Sequence, residues 1–436
     1  MKLAIIADDL TGASDSGVQF ARCGLHVSVM LGPLSGAGPK PPQGDVLVLD
    51  TDSRSASAES AYHRVAEASR YAALSGAQAM FKKMDSTLRG NLGAELDAVY
   101  DTLHPDFIVI APAYPEAGRL VRDGFLYVHG TPVHETEFGR DPKTPVLTSF
   151  IPDLIGRQSK RSVEVISSSQ LGEEESAFKK MLHSCRVRGV PYLVADSADS
   201  LELGRMLSLF AATEYSVVWA GSAGLARAVQ EHSFIGENNR PQEIPPVELP
   251  VLAVVGSVSP RSRLQLERLL AVPQVKGIQL EGRRLVSGRS EREREILQAA
   301  SQAEQSLHGG CHTVLYSSGD REAIEEACEA GKRYGMNRQE VSDAIAQGLG
   351  ECAARLLPKA PVGGFIITGG DTAKQVCLAL GATGIQLAGE VETGVPMGLL
   401  VMEEPLPVVT KAGGFGTDDV LEKALHVLTK GGGRTK

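Results

Sequence analysis

Short runs of apolar, mostly β-branched residues recur along the chain, and a helical pattern follows each run. The runs end in glycine, serine or aspartate, and they include KLAIIADD, DVLVLDTDS, DFIVIAPAY, PYLVADS, YSVVWAGS, PVLAVVGSVS, HTVLYSSGD and GGFIITGGD. This alternation is typical of parallel strands covered by helices on both faces, because such strands are buried on both sides. The sequence therefore predicts an α/β protein with largely parallel sheets.

The chain is also long enough for two domains. With 436 residues it exceeds what one ordinary core usually accommodates. The apolar runs stop at IGENNRPQEIPPVELP, where polar residues and prolines typical of a linker replace them. We predict one domain over residues 1–236, a linker over 237–250 and a second domain over 251–430. Each domain is expected to have a largely parallel sheet flanked by helices, with a ligand cleft between the domains.

The composition excludes several classes of function. Aromatic residues make up only 5% of the chain and the net charge is -9, whereas a nucleic-acid groove needs basic stripes and stacking platforms. No stretch approaches the roughly 20 uninterrupted apolar residues that span a bilayer. The cysteines form no C-x-x-C pair, and no spacing typical of a zinc site occurs. We therefore expect a cytoplasmic protein that binds small molecules, with no nucleic-acid or membrane partner.

Two adjacent aspartates, Asp8 and Asp9, follow the first predicted strand. Thr11 or Ser14 can cap the next helix, and so can one of the aspartates. Because successive side chains diverge at a strand end, we expect only one aspartate to serve the helix. The other points into the binding crevice, where its carboxylate can accept a hydrogen bond from a substrate hydroxyl. We assign Asp9 to the substrate and Asp8 to support or to a metal ion.

The segment FKKMDSTLRGNLGAEL contains a dense cluster of charged and hydroxyl residues that follows an apolar run, and this cluster is the most specific polar pattern in the chain. Lys82 or Lys83 can hold a carboxylate, and Asp85 can bind a hydroxyl or take its proton. Arg89 can clamp an anion through two hydrogen bonds. A solvated turn is the alternative, but it does not explain why cations, an acid and hydroxyls crowd the end of one apolar segment.

One further cation, Arg54, follows the strand that ends in DTDS. A lone arginine at a surface is usually only solvated, so the residue by itself leaves both interpretations open. Its place directly after a strand makes it a candidate for binding an anion.

Three strand ends of the second predicted domain are rich in glycine. They lie around Ser257, Asp371 and Gly414. Glycine lets the backbone approach a polyphosphate, and loop or helix-terminal N–H groups supply donors for its charge. Glycine also merely permits tight turns, and neither G-x-x-x-x-G-K-[ST] nor G-x-G-x-x-G is present. Three such ends in one domain favour a nucleotide, with Mg²⁺ carried in on its phosphates.

The segment WAGSAGLA is similar to the nucleophile elbow of serine hydrolases, with Ala220 in place of the first glycine. A hydrolase would also need a base and an orienting acid, and no histidine follows an evident later strand with an acid partner. We therefore interpret the segment around Ser222 as a close-packed turn.

Six motifs, taken together and in this order, resemble the four-carbon acid sugar kinase family: IADDLTGASD, KKMDSTLRGN, APAYPEAGR, WAGSAGLA, GSVSP and TGGDTA. That family includes D-threonate, D-erythronate and 3-oxo-tetronate kinases. The resemblance covers nearly the whole chain and implies an N-terminal domain for the acid sugar and a C-terminal domain for the nucleotide. The segment DDLTGASDSGVQFARCG is more similar to the threonate and erythronate kinases than to the oxo-tetronate branch of the family.

The residues and the resemblance together yield two sets of candidates. The set expected at the sugar acid is Asp8, Asp9, Arg54, Lys82, Lys83, Met84, Asp85, Ser86 and Arg89. The set expected at ATP is Ser257, Gly369, Gly370, Asp371, Thr372, Gly413 and Gly414. Asp9, Asp85 and Asp371 are all candidates for the catalytic base, and the metal ligands stay unassigned.

We therefore expect a kinase that uses ATP and Mg²⁺ to phosphorylate the terminal hydroxyl of a four-carbon sugar acid, either D-threonate or D-erythronate. A 3-oxo-tetronate kinase and a non-catalytic sensor of a sugar acid and a nucleotide are the alternatives. The sugar acid and ATP are the expected partners, and a homodimer stays open.

Overall fold

The computed structural model of the chain describes residues 1–32, 44–141, 143–233 and 242–431. The chain divides into two compact units, Met1–Arg240 and Pro241–Lys436. Residues 237–241 of the predicted linker lie outside the described residues, so the linker and its bounds stay a prediction.

The described part of the first unit is built from short strands and helices. Its strands are β1 (Leu3–Ala7), β2 (Val27–Met30), β3 (Val46–Asp50), β4 (Ala79–Lys83), β5 (Phe107–Ala111), β6 (Arg119–Arg122), β7 (Phe125–Val128), β8 (Thr131–Pro132), β9 (Val163–Ile166), β10 (Tyr192–Ala195) and β11 (Val217–Gly221). Its helices are α1 (Leu10–Ala21), α2 (Ala58–Leu74), α3 (Leu92–Leu103), α4 (Ile151–Gly156), α5 (Ser168–Leu171), α6 (Glu175–Val187), α7 (Ser200–Ala211) and α8 (Ala223–Ser233).

The main sheet of the first unit is parallel throughout, in the order β2-β3-β1-β4-β11-β5-β10-β9. Strands β6, β7 and β8 form a small antiparallel sheet. Strand β1 lies between β3 and β4, with Ala7 opposite both Asp50 and Lys83. The three strands therefore end at the same level, and the loops that follow them meet at one edge of the sheet.

The residues of β1 are all buried, which fits a strand covered on both faces. Helix α1 begins directly after it, and the Asp9 carboxylate accepts a hydrogen bond from the Gly12 amide at 2.9 Å. Of the candidates for the cap that the sequence left open, the structure selects Asp9, the aspartate that we assigned to the substrate, and not Thr11 or Ser14. Asp9 has the extended backbone of an N-cap residue and a short carboxylate that reaches the free amides. Thr11 donates its hydroxyl to the same carboxylate at 2.7 Å.

The described part of the second unit has the same kind of architecture. Its strands are β12 (Val251–Val255), β13 (Val275–Leu280), β14 (His312–Ser317), β15 (Gly364–Thr368), β16 (Gly384–Glu392), β17 (Val395–Val401) and β18 (Leu406–Lys411). Its helices are α9 (Pro260–Leu270), α10 (Gly282–Leu285), α11 (Gly288–His308), α12 (Arg321–Lys332), α13 (Arg338–Leu356), α14 (Gly370–Ala379) and α15 (Val420–Lys430).

Strands β13-β14-β12-β15-β18 of the second unit are parallel in this order. Strands β17 and β16 continue from β18 as antiparallel neighbours. The antiparallel pair follows from a tight turn at Gly394, whose φ of 77° suits a residue without a side chain. The predicted fold, two α/β units with largely parallel sheets, is confirmed.

No helix in the described ranges is long and apolar enough to cross a bilayer. Within the described ranges, the cysteines form no disulfide bond.

Candidate active site

Arg54 lies at the centre of a charged cluster at the carboxyl edge of β3, β1 and β4. Its Nε donates to Asp8 Oδ2 at 2.7 Å, and its two terminal nitrogens each donate to one oxygen of Asp9 at 2.7 Å. Asp85 Oδ1 lies 3.6 Å from the same guanidinium. The donors of Arg54 are thus directed at carboxylates of the protein, and this side chain holds the acids of the cluster in place.

Asp85 is bound by the loop that carries it. Arg89 donates to its two oxygens at 2.9 and 3.1 Å, and the Thr87 hydroxyl donates to Oδ2. Arg89 also reaches Asp141 at 3.4 Å and lies over the ring of Phe138. The turn around Asp85 is therefore fixed by charge-assisted hydrogen bonds and not merely solvated.

The two adjacent lysines of the segment have different partners, because successive side chains of a strand point to opposite faces. Lys82 is buried and its Nζ lies 2.7 Å from Glu95 Oε2, while Ser53 donates to the other Glu95 oxygen at 2.7 Å. Lys83 Nζ lies 3.5 Å from Asp8 Oδ1. Only Lys83 of this pair therefore joins the cluster around Arg54.

Gly12 is required at the first turn of α1 because Lys83 occupies the space beside it. A Cβ atom at this position would lie 2.4 Å from Lys83 Nζ and 2.6 Å from Asp9 Oδ1. The glycine in DDLTGAS thus lets the ammonium approach the helix N-terminus.

The pKa values of Asp8 and Asp85 are both lowered, which favours the ionised form of these two acids. Burial alone raises the pKa of the Asp8 carboxyl, but the charges of Arg54, Lys83 and Lys82 outweigh burial and lower it to about 2. Burial likewise opposes ionisation of Asp85, yet Arg89 and Arg54 hold the pKa of that carboxyl well below its usual range. A general base works best with a pKa near the working pH, so these two acids are better suited to hold cations and hydroxyls.

The remaining sugar-site candidates have distinct surroundings. The side chain of Met84 belongs to the apolar core of the first unit, and Ser86 is half-buried beside Asp85. Arg119 is a cation that the sequence reasoning did not single out, although it lies in the motif APAYPEAGR. Burial lowers its pKa and the charge of Asp85 raises it, which places this guanidinium within electrostatic range of the cluster.

A cavity of about 320 Å³ adjoins Arg54. Asn91, Lys143, Arg157 and Gln158 contribute to its polar wall. Asn91 also donates to the backbone carbonyl of Ser53 at 2.9 Å, which holds the loop of Arg54 in place. This volume is at the lower end of the range of small-molecule pockets, and its wall is rich in cations.

In the second unit, the three glycine-rich strand ends come together at the carboxyl edge of β12, β15 and β18. Thr368 pairs with both Val255 and Lys411 in the register of the sheet. A Cβ atom on Gly413 would lie 2.6 Å from Ser257 Oγ, and one on Gly369 would lie 3.3 Å from the Ser257 amide. The absent side chains thus let the loops around Ser257, Gly369 and Gly413 pack closely.

The loop after β15 leads directly into α14. Gly369 is the N-cap and has a φ of 104°, a conformation that favours glycine. Gly370, Asp371 and Thr372 form the first turn, and the side chain of Thr372 is buried beside Gly256. A helix N-terminus of this kind presents amide groups that suit a phosphate. Asp371 is exposed in the same turn.

Two cations of the second unit approach these loops. Arg263 donates to the carbonyls of Ser317 and Ser257. Lys411, the last residue of β18, is buried and donates to the carbonyl of Gly413 at 3.0 Å. Neither was predicted, since Arg263 lies within a helix and Lys411 is a single lysine without the closely following acid that marks the segment of Lys82 and Lys83.

Ser222 does not have the surroundings of a hydrolytic nucleophile. It is buried, its hydroxyl donates to the Ala113 carbonyl at 2.6 Å, and it accepts from the Gly224 amide. A Cβ atom on Gly221 would lie 2.3 Å from the Ala111 carbonyl, as expected for a close-packed turn. In the part of the chain that the structure describes, no group of three or more His, Cys, Asp or Glu side chains is arranged to hold a metal ion.

The two units match two known domain families. Residues 3–229 match the family model described as a sugar-binding N-terminal domain, and residues 252–421 match the one described as a nucleotide-binding C-terminal domain. A crystal structure of a Haemophilus influenzae protein shares the fold, with a TM-score of 0.74 and 24% identity over 98% of this chain and 100% of that chain. Fold and family matches together define a two-domain protein whose units belong to a sugar-binding and a nucleotide-binding domain family.

Relatives that are named for their activity show which family of two-domain proteins this chain belongs to. The D-threonate kinase of Salmonella typhimurium is 35% identical to this chain and covers 98% of both chains. The D-erythronate kinase of Heliobacterium modesticaldum is 33% identical over 98% of this chain and 97% of that protein. The chain belongs to the four-carbon acid sugar kinase family.

Proposed function

We propose that this chain transfers the γ-phosphoryl group of ATP to the terminal hydroxyl of D-threonate or D-erythronate. One observation carries the proposal: the first unit holds a cluster of paired acids and cations, in a chain related over nearly its full length to kinases named for these two acids. Phosphoryl transfer depends mostly on positioning and on neutralising charge, and such a cluster is suited to position a small polar acceptor.

The acids of the cluster differ in the solvent exposure of their side chains. The side chain of Asp9 is 20% exposed, whereas those of Asp85 and Asp8 are 9% and 1% exposed. We assign the hydroxyl groups of the sugar acid to Asp9 and Asp85, and we assign Asp8 to support of Arg54 and Lys83. Lys83, Arg89 and Arg119 are the cations that we assign to the carboxylate of the substrate.

The terminal hydroxyl loses its proton during transfer. A proton on Asp85 would be unfavourable, because its pKa is held well below the usual range against the effect of burial, chiefly by Arg89. We therefore assign orientation of the hydroxyl to Asp85. We assign acceptance of the proton to Asp9 because it is the most exposed acid of the cluster, although Arg54 binds both of its oxygens. A loose transition state makes a modest demand on the base, so a carboxylate suffices.

The second unit supplies the nucleotide site in this proposal. The contacts at Gly369 and Gly413 support it, because a side chain there would fill the space beside Ser257. Ser257, residues 369–372 and Gly414 would face the phosphates. Mg²⁺ would neutralise charge on the phosphates and needs few protein ligands. We assign the exposed Asp371 to that ion.

A coupled ADP-release assay with Mg-ATP tests the proposal. The panel contains D-threonate, L-threonate, D-erythronate, L-erythronate and 3-oxo-tetronate. We expect ADP release in proportion to added D-threonate or D-erythronate. Release with 3-oxo-tetronate alone would favour that alternative. Thermal stabilisation by the acid and the nucleotide without ADP release would identify a sensor instead of an enzyme.

A further inference from the structure

The buried lysines of the described chain differ in their partners. Lys82 and Lys83 have carboxylates beside them, Glu95 at 2.7 Å and Asp8 at 3.5 Å. Lys411 is as deeply buried, with 1% of the residue exposed. Its hydrogen bonds and charge interactions with the described residues include no carboxylate. Its charge is therefore not neutralised by this part of the chain.

The hydrogen bonds of Lys411 are nevertheless complete. Its Nζ donates to Ser262 Oγ at 3.2 Å, to the Ala412 carbonyl at 2.8 Å and to the Gly413 carbonyl at 3.0 Å. An ammonium has three N–H groups, so each of them has an acceptor. The side chain is fixed in place by neutral oxygens and lacks only an opposite charge.

These contacts help to set the direction of the loop that follows β18. The Ala412 carbonyl accepts from Lys411, and the Gly413 carbonyl accepts from Lys411 and also from Ser259 Oγ at 2.7 Å and Ser262 Oγ at 2.9 Å. The N–H and C=O groups of a trans peptide point in opposite directions, and the described chain has no cis peptide. Because the carbonyls of Ala412 and Gly413 face Lys411, the amides of Gly413 and Gly414 face away from it. Within the described ranges these two amides donate to no protein acceptor. Such paired amides form a concave site for an anion.

A buried cation without a counter-charge is costly. Burial, with a smaller effect of the charge of Arg261, lowers the pKa of Lys411 to about 7. An anion bound at the amides of the loop would supply the missing negative charge.

We propose that Lys411 is a positioning residue that turns the amides of Gly413 and Gly414 toward the phosphates of a bound nucleotide and places a positive charge beneath them. This inference rests on the proposed function, because it assumes that the second unit binds a nucleotide. Lys411 acts through the backbone of the loop, and no contact of its own with the phosphates is required.

Nucleotide binding to the full-length Lys411→Met variant tests the proposal. We expect its affinity for ATP and for ADP to fall at least about tenfold, and its affinity for adenosine to stay unchanged, because adenosine carries no phosphate. Lys411→Gln keeps donors for the carbonyls but removes the charge, and we expect a similar loss. Lys276→Met, which removes an exposed lysine of β13, is the matched control and should bind ATP as the wild type does.

Binding of inorganic triphosphate separates this inference from the proposed function. If the wild type binds triphosphate but neither ATP nor ADP, and Lys411→Met loses triphosphate binding, the nucleotide function fails and the role of Lys411 stands. If the wild type binds ATP and both Lys411 variants bind it equally well, the role of Lys411 is refuted and the proposed function is not. An equal loss of adenosine and ATP would also refute it, because a collapsed loop would then be the cause. If the wild type binds none of these ligands, both are refuted.

Discussion

Arg54 and Asp8 form a partly buried ion pair, with Arg54 Nε donating to Asp8 Oδ2 at 2.7 Å. Asp8 directly follows β1, and Arg54 approaches it from the loop after the neighbouring strand β3. Because Asp9 binds the same guanidinium, one arginine fixes both members of the aspartate pair. The adjacent aspartates therefore share a cation, although only Asp9 caps the helix.

Removal of this cation should destabilise the first unit. In Arg54→Met, Asp8 stays buried with less compensating charge. Breaking such a pair lowers the free energy of unfolding by about 3–5 kcal/mol. The unfolding transition of the first unit, followed by calorimetry, should move to lower temperature. Adding Asp8→Asn to Arg54→Met should restore part of the loss. A double variant no more stable than Arg54→Met would contradict the coupling between these two residues.

Gly12→Ala should impair binding of the sugar acid without unfolding the protein. The new methyl group would collide with Lys83 Nζ, and this flexible side chain would move away from Asp8. We expect KM for the sugar acid to rise about tenfold, since one charge contact is worth roughly 1–2 kcal/mol.

Gly204→Ala provides the matched control for this change. Gly204 lies in α7 with open space where its Cβ would be, and alanine should stabilise the helix by up to about 1 kcal/mol. An unchanged KM in Gly12→Ala would show that the position of Lys83 has no role in substrate binding.

The two units should respond differently to the loss of a single carboxylate. Asp85→Asn should lower kcat about a hundredfold or more, because the acceptor hydroxyl would lose its orientation. Asp371→Asn should mainly raise KM for ATP, because Asp371 lies in the first turn of α14 in the nucleotide-binding unit. Steady-state kinetics with each substrate varied in turn makes the comparison. If Asp371→Asn lowers kcat as strongly as Asp85→Asn, the division of roles is wrong.

Lys411 should also couple nucleotide binding to protons. Burial and, to a smaller extent, Arg261 lower its pKa to about 7 from the ordinary value of 10.5, so the side chain is mostly neutral at pH 8. Anionic phosphates favour its charged form. Calorimetry in two buffers with different ionisation enthalpies should therefore show proton uptake when ATP binds at pH 8, and Lys411→Met should lack this component.

Lys411 should also affect how the stability of the ligand-free protein depends on pH. Between pH 7 and the ordinary lysine pKa of 10.5, the unfolded chain binds more protons at Lys411 than the native chain does. This group therefore makes native stability rise with pH across that window. Lys411→Met should raise the thermal midpoint of the second unit most strongly at pH 7 and below. A lower midpoint would mean that the ammonium stabilises the fold.

Much of the fold and part of the site could be predicted because strand ends carry visible signals. Apolar runs that end in aspartate, lysine or glycine indicated the carboxyl edge of parallel strands, and the structure places Asp8, Arg54 and Lys83 together there. The order β3-β1-β4, which makes these loops neighbours, depends on tertiary packing and is not encoded in any local pattern. The sequence left the N-cap open, because the pattern does not show where strand β1 ends and helix α1 begins within the aspartate pair.

The buried charged residues could not be predicted from the sequence, for a different reason. Glu95 lies in an amphipathic helix, where a glutamate is normally solvated, and only the fold shows that Lys82 and Ser53 surround it. Lys411 likewise looks like an ordinary lysine at the end of a strand. Burial of a charge, which makes both residues informative, can be read only from the packed structure.

Phosphorus NMR of the reaction product tests the central claim most directly. If the phosphoryl group is transferred to the oxygen of the terminal hydroxyl of D-threonate or D-erythronate, the new phosphorus signal should couple to the two protons of the adjacent methylene group and form a triplet. The signal should appear at the rate of ADP release. A doublet would place the phosphate on a secondary hydroxyl, and orthophosphate alone would show that no sugar acid is phosphorylated. Either result would contradict the proposed function.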